Sequence, residues 1–431
     1  MEIFLSSIYA AFFCYLLYKL RFFKIEGVSP FILIGIFLIK LLSALVLTLI
    51  YTYYYKDRST ADIFKYFDDA KVLFSALHHH PYDYFRMLTG FDSDSSELKH
   101  YYLQCNFWYK EYSHILYNDN RTIIRYNAFV LLFSFGKFFV HNIFTSFLSL
   151  IGLMGIFKVF VKYYPNKKYS LLIAIFLLPS VLLWTSGTLK EGIVVFAFGI
   201  FFYTLWSMLF NRFMLKYLIV CISAVFILSL AKYYVILCAV PGVIYLIGRR
   251  FFPTKSHLFL ISTTIVICVV AFIIGRLFGG KFDVITSLTY KQNDFVTFSL
   301  SLDKVGSLMD TTLLKPSVID FAKHCPQGLY KSLFKPFPWD VHNILSILPA
   351  FENIVMIVLF VLTVIFYKRK KASIELLLFC ICFVVCLNTL NGLIVPVFGA
   401  IVRYKVPALP FLFASLVCLI DFDAIKKRLS K

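Results

Sequence analysis

The residues of this chain best suited to chemistry are few and closely spaced. Asp62, Tyr66 and Asp69 recur at i, i+4 and i+7, with Asp68 beside the last, so on a helix they share one stripe. Ile63, Phe67, Ala70, Phe74 and Leu77 form a second, apolar stripe, and Ser59 or Thr60 is placed to cap the helix start. Such a helix lies at a membrane interface with its acidic stripe facing inward or toward water. A carboxylate at the rim of a membrane cavity suits a general base or a ligand for a divalent cation. The alternative is a solvated face whose acids sit near the positive end of the helix.

Further along, Lys190 and Glu191 follow the short turn Trp184-Thr185-Ser186-Gly187-Thr188-Leu189. Ionisable groups at a span end are costly unless paired or open to a cavity. A helix starting near Thr188 points its first amides at a potential phosphate; a snorkelling lysine and an acidic first turn explain the same residues structurally. Lys232 precedes Tyr233 and Tyr234, and Arg403 and Lys405 stand in a turn rich in Asn, Gly and Pro. Cations at such positions are suited to holding an anion, with interfacial snorkelling as the alternative. Glu352 lies inside an apolar run and needs a partner or water. Trp339, in Lys335-Pro336-Phe337-Pro338-Trp339-Asp340, is a natural interface anchor.

Other features are discounted. His78-His79-His80 lacks a second ligand group at a set spacing, so no metal site is expected there. Most cysteines fall in apolar runs, where they act as small hydrophobes. Cys105 and Cys325 lie one in each long loop, and a disulfide between them is an open alternative in an oxidising compartment.

The elements that carry these residues are membrane spans. Of 431 residues, 60% are hydrophobic and 15% charged, well below the quarter or so typical of soluble chains. Lipid must be the solvent for much of this surface. The net charge of +20 comes with no nucleic-acid-reading motif. Apolar runs long enough to cross a bilayer are 3–20, 31–54, 143–162, 169–185, 191–210, 214–231, 233–248, 257–276, 346–367, 373–390 and 404–421. The fold expected is an all-α integral membrane protein with about eleven transmembrane helices and two long extracytoplasmic loops. The first run, with Glu2 ahead of it, reads as a retained span rather than a cleaved signal. The 126–142 stretch reads as an extra half-span or an interfacial helix.

Basic clusters at Arg21/Lys24, Lys158–Lys168, Arg212/Lys216, Arg249–Lys255, Lys368–Lys371 and Lys426–Lys431 all occupy alternate loops of that arrangement. The positive-inside rule then sets the N-terminus outside and the C-terminus in the cytoplasm of a multi-pass cell-membrane protein. The segments expected are 1–54, two spans; 55–142, a first outer loop with interfacial helices; 143–276, a block of six spans; 277–345, a second outer loop; and 346–431, the last spans and a basic tail. The cytoplasmic loops are short and carry no phosphate-binding glycine loop, which argues against a primary pump.

Three segments resemble the bacterial GT-C-type membrane glycosyltransferases. The Asp62–Asp69 stretch is similar to the acidic first outer loop of that family. Lys335-Pro336-Phe337-Pro338-Trp339 with downstream Glu352 is similar to a segment of bacterial relatives. Arg403-Tyr404-Lys405-Val406-Pro407-Ala408-Leu409-Pro410 resembles a late Arg-Tyr-Arg-x-Pro-x-x-Pro signature. Here the acidic loop follows the second span rather than the first, and no large C-terminal soluble domain is read.

The resemblance implies transfer of a sugar from a polyprenyl-phosphate donor to a glycan, lipid or protein acceptor during cell-surface polysaccharide assembly. By it Asp62 is the base, with Asp69 and Asp68 as the other catalytic candidates. Lys190, Arg403 and Lys405, with Lys232, hold the donor phosphate. Tyr66, Glu191, Trp339 and Glu352 complete the candidate set, with a divalent cation as an optional cofactor. An O-antigen or capsular polysaccharide polymerase is the near rival; a secondary transporter or flippase of lipid-linked saccharides is the rival of another class.

Overall fold

In the computed structural model the chain is 82% helical, with no strand among the described residues. The structure describes residues 1–55, 58, 61–109, 117–301, 309, 312–341, 344–367 and 374–429. In chain order the helices are α1 (Glu2–Lys19), α2 (Pro30–Leu49, with a π-turn over Ile50–Tyr54), α3 (Asp62–His79), α4 (Pro81–Thr89), α5 (Lys99–Tyr102), α6 (Asn120–Ser134) and α7 (Phe138–Tyr163). Then come α8 (Lys168–Phe176), α9 (Pro179–Trp184), α10 (Lys190–Phe210), α11 (Leu215–Phe251), α12 (His257–Phe278) and α13 (Val284–Ser301). The last are α14 (Val318–Phe334), α15 (Ile344–Ile365), α16 (Ile374–Ile394), α17 (Phe398–Tyr404), α18 (Leu409–Leu419) and α19 (Phe422–Leu429).

Among the described residues, 8 helices are long and apolar enough to cross a bilayer, or 9 if α17 and α18, bent by 64°, make one pass. The protein is thus an all-α, multi-pass membrane protein. The difference from the eleven runs in the sequence has two physical sources. The 169–185 run is divided between α8 and α9, each too short to cross, because Pro179 interrupts it. The 214–231 and 233–248 runs join in the 37-residue α11, which is broken at Lys232 (φ −154°, ψ 79°).

Helix starts follow local chemistry. Ser29 caps α2 by accepting from the Phe31 amide, with Pro30 in the first helical position. Ser256 caps α12 through the Phe259 amide at 3.2 Å. The expected cap of α3 moves: Ala61 holds the N-cap position without a side-chain bond, and Ser59 and Thr60 lie outside the described residues.

By contacts the chain divides into two compact units, both discontinuous in sequence: Met1–Gly155 with Val181–Phe201 and Ile222–Tyr233, and Ile156–Ser180 with Phe202–Cys221 and Tyr234–Lys431. This division cuts across the linear segments read from the sequence.

In the first unit Phe13 stacks on Phe147 with ring centres 4.3 Å apart and meets Phe144 edge-on at 5.1 Å. Glu2 Oε1 accepts from the Phe139 amide at 3.1 Å, so α1 and α7 start at the same end. Helices α7 and α10 cross through Gly152 and Gly199, where any Cβ would collide with the opposing backbone. Between α2 and α7 stand the helices α3 to α6, and α3 packs on α4 and α6.

Arg86, 6% exposed, gathers Glu97 at 2.9 Å, Asp83 at 3.4 Å and also Asp92, fixing the α4–α5 connection. At the α6–α7 elbow, Phe135 and Gly136 take positive φ (49° and 73°). The buried His141 bonds Asn127 Oδ1 through Nδ1 at 2.8 Å and Ser134 Oγ through Nε2 at 2.9 Å. The amide oxygen can only accept, so Nδ1 carries the proton and Nε2 receives the hydroxyl.

In the second unit Phe202, Phe379 and Phe411 form an aromatic core, with Phe202 5.0 Å from each of the other two. Helices α14 and α16 touch through Gly328 and Gly392. Lys167 donates to the carbonyls of Val417 (2.9 Å), Cys418 (2.9 Å) and Ile420 (2.5 Å), capping the C-terminus of α18 with a cation.

Candidate functional site

The first unit holds the acidic stripe, and the structure separates its members. Tyr66 and Asp69 are buried, and Asp62 is half-buried as the first residue of α3. Asp69 Oδ1 accepts from the Asn106 amide (2.7 Å) and side chain (2.9 Å), and Oδ2 from the Phe107 amide (2.8 Å). Burial raises this carboxyl above its usual range, against the pull of the same three hydrogen bonds. Asp69 thus anchors the chain at Asn106 and Phe107. Asp68 points outward and is bridged to Arg58 at 2.8 Å on the surface, a pair of small energetic weight. Asp62 is the first residue of α3, at the helix head.

Four side chains from three segments then converge. Tyr66 donates to Asn120 Oδ1 at 3.1 Å. Lys190 Nζ donates to the same oxygen at 2.9 Å and to Asp119 Oδ2 at 2.8 Å. Asp119 and Asn120 sit at the head of α6 and Lys190 at the head of α10. The adjacent residue makes its own pair: Lys232 Nζ meets Glu191 Oε1 at 3.0 Å, both side chains buried.

The break in α11 falls on Lys232, and Thr122 Oγ1 donates at 2.7 Å to the carbonyl of Leu230 just before it. A carbonyl next to a helix break is thereby satisfied. Losing one partner of a fully buried pair such as Lys232–Glu191 costs about 3–5 kcal/mol.

Sequence reasoning passed over three residues here. Asp119 and Asn120 carried a signal, since an Asn-Asp-Asn run before an apolar stretch reads as a helix start. Lys40 carried a clearer one: it is a lone cation inside a candidate span. It is fully buried, and its ammonium donates to Thr185 Oγ1 at 2.6 Å.

The second unit holds the other candidates. Glu352, 2% exposed, accepts from the Ser180 amide through Oε1 at 2.7 Å. Ser180 is the second residue of α9, so the carboxylate caps a helix start whose amide has no carbonyl to meet. The Ser180 hydroxyl lies against the same carboxylate without forming a well-shaped hydrogen bond.

Asn353 donates to the carbonyls of Phe334 (3.0 Å) and Pro336 (2.9 Å). Lys405 reaches the intervening carbonyl of Lys335 (3.3 Å) and Asn353 Oδ1 (3.0 Å). Prolines keep 335–338 out of a helix, and these two side chains satisfy the exposed carbonyls instead. Lys405 therefore staples this segment. Arg403 is half-buried at the end of α17. Trp339 is 76% exposed and stacks on Phe337 at 4.8 Å.

Lys190 and Lys232 belong to the first unit, and Arg403 and Lys405 to the second. Cys105 and Cys325 are both free thiols. Among the described residues no group of three or more His, Cys, Asp or Glu side chains gathers to hold a metal, and His78, His79 and His80 are exposed at the end of α3.

Comparison with protein-family models, with curated proteins and with solved structures gives no match. The functional reading therefore rests on the geometry of the site.

Proposed function

We propose that this chain is a membrane glycosyltransferase that moves a sugar from a polyprenyl-phosphate donor to an acceptor on the extracytoplasmic face. The observation that carries the reading is the Tyr66–Asn120–Lys190–Asp119 cluster, which joins a folded loop helix to the head of a span. It couples α3 and the head of α6 to the head of α10, one turn away from Asp62. Asp62 then acts as base: it takes the acceptor hydroxyl proton as the new O–C1 bond forms and the C1–O bond to phosphate breaks. Positive groups and helix-head amides stabilise the departing phosphate. Asp69 and Asp68 serve as supports rather than bases.

The same reading takes the chain as eleven passes in the cell membrane, N-terminus outside, with α8 and α9 forming one pass and α11 two. At about 1.5 Å per residue a 37-residue helix far exceeds a hydrocarbon core of about 30 Å, which favours a break at Lys232. The test of function is product formation by purified protein given radiolabelled polyprenyl-phosphate sugars and glycolipid acceptors. Transfer supports the assignment, and its absence with donor bound contradicts it.

A second reading, transport of lipid-linked saccharides, is favoured by the helix broken at Lys232, the bent α17–α18 pair and the mid-span Lys40. It predicts movement of a fluorescent lipid-linked sugar across proteoliposome leaflets without any change in the sugar's linkage. Flux without transfer would replace the enzyme reading with this one.

A further inference from the structure

We propose that Lys40 and the turn Thr185–Thr188 form a buried site for a phosphate group, that of the lipid-linked substrate. The inference rests on the glycosyltransferase reading and names the cation that reading otherwise lacks. Lys190 and Lys232 each meet a carboxylate. Lys40 meets none among the described residues, where its one partner is the Thr185 hydroxyl. An ammonium has three N–H groups to place and no means of accepting. A buried charge left in this state costs several kcal/mol, and membrane proteins retain such groups where they do something.

The turn beside Lys40 is prepared for an anion. Its carbonyls are already taken: Ser149 Oγ donates to Thr185 O at 2.8 Å, and Ser146 Oγ to Ser186 O at 3.1 Å. The Thr185 hydroxyl spends its proton on Val181 O at 2.6 Å and so shows the lysine a lone pair. The amides of Ser186, Gly187 and Thr188 donate to no acceptor among the described residues. They lie just ahead of the 21-residue α10, at its positive end.

Gly187 keeps this turn against α2, because a Cβ there would come 2.6 Å from Leu47 Cδ2. Excess donors beside a single uncompensated cation suit a tetrahedral oxyanion.

The experiment uses full-length protein in detergent micelles, as wild type, Lys40→Gln and Lys40→Arg. Binding of undecaprenyl phosphate, of undecaprenol and of inorganic phosphate is read by native mass spectrometry and by the shift in thermal unfolding. The expected result is phosphorylated lipid binding the wild type at least about tenfold more tightly than the alcohol. Lys40→Gln abolishes that preference and Lys40→Arg keeps part of it. Inorganic phosphate binding with the same dependence on Lys40 upholds the site and assigns it to free phosphate.

Equal binding of lipid phosphate and alcohol by wild type, with no free phosphate bound, overturns the site even if Lys40→Gln fails to fold. A folded Lys40→Gln that keeps the preference overturns it too. Binding is read without turnover, so the two ideas fail separately. Lys40-dependent binding without transfer sinks the reaction and spares the site; transfer without phosphate preference does the reverse.

Discussion

At the scale of single residues, neighbours decide what each carboxylate can do. Asp69 is filled by three hydrogen bonds from Asn106 and Phe107, and replacing it with Asn puts an amide N–H where the Phe107 N–H needs an acceptor. Asp69→Asn should cost about 1–3 kcal/mol, seen as a lower unfolding midpoint. Burial raises the Asp69 carboxyl above its usual 3.8, so the folded chain holds that proton more tightly than the unfolded chain. Its contribution to stability is complete below about pH 3.8 and is lost as pH rises through the raised value. Unfolding midpoints measured across that interval should fall in wild type and lose this component in Asp69→Asn; an identical slope in both would show that Asp69 does not titrate there.

His141 offers a second test at this scale. Truncation to Ala strands the buried Ser134 hydroxyl and Asn127 carboxamide, each worth about 1–3 kcal/mol when unmatched. A variant as stable as wild type by thermal unfolding would contradict the clamp at the elbow.

At the scale of elements, most positions were legible in the sequence and a few were not. Apolar runs located the span-length helices because hydropathy is a local property, and Lys232 between two such runs and the Lys190-Glu191 pair already marked a break and a helix head. Helix α3 was legible from the Asp62–Leu77 periodicity. Asp119 and Asn120 were missed because their role depends on meeting Lys190, some seventy residues away in the chain, which no local pattern encodes. Glu352 was singled out as a charge in an apolar run in need of a partner, and it meets the backbone at the head of α9. Lys405, read as a cation suited to an anion, donates to the Lys335 carbonyl and to Asn353 Oδ1.

The helix crossing at Gly152 and Gly199 makes its own prediction. Gly199→Leu forces α7 and α10 apart, at a cost of at least about 1–3 kcal/mol, and should appear as loss of folded protein on size exclusion. Normal yield and stability would place the crossing elsewhere.

At the scale of the whole molecule, the composition already excluded a water-soluble fold, and the 8 or 9 span-length helices among the described residues bear that out. The division into two discontinuous units was not legible, since it depends on contacts between segments far apart in sequence. The number of passes is decided at α11. If α11 crosses twice, Arg212 and Lys255 lie on the same side; if it crosses once, they lie on opposite sides. Reporter fusions ending at these residues should give the same cytoplasmic signal, and opposite signals would remove one pass from the proposed topology.

In the proposed reaction Asp62 is the base of a glycosyl transfer, while Asp68 and Asp69 are structural. The most direct measurement compares wild type, Asp62→Asn, Asp68→Asn and Asp69→Asn in transfer of sugar from a polyprenyl-phosphate donor, each assayed well below its own unfolding midpoint. The prediction is a loss of about 10²- to 10⁴-fold in Asp62→Asn with unchanged stability, and near-normal turnover per folded molecule in the other two. Full transfer by a folded Asp62→Asn would contradict it.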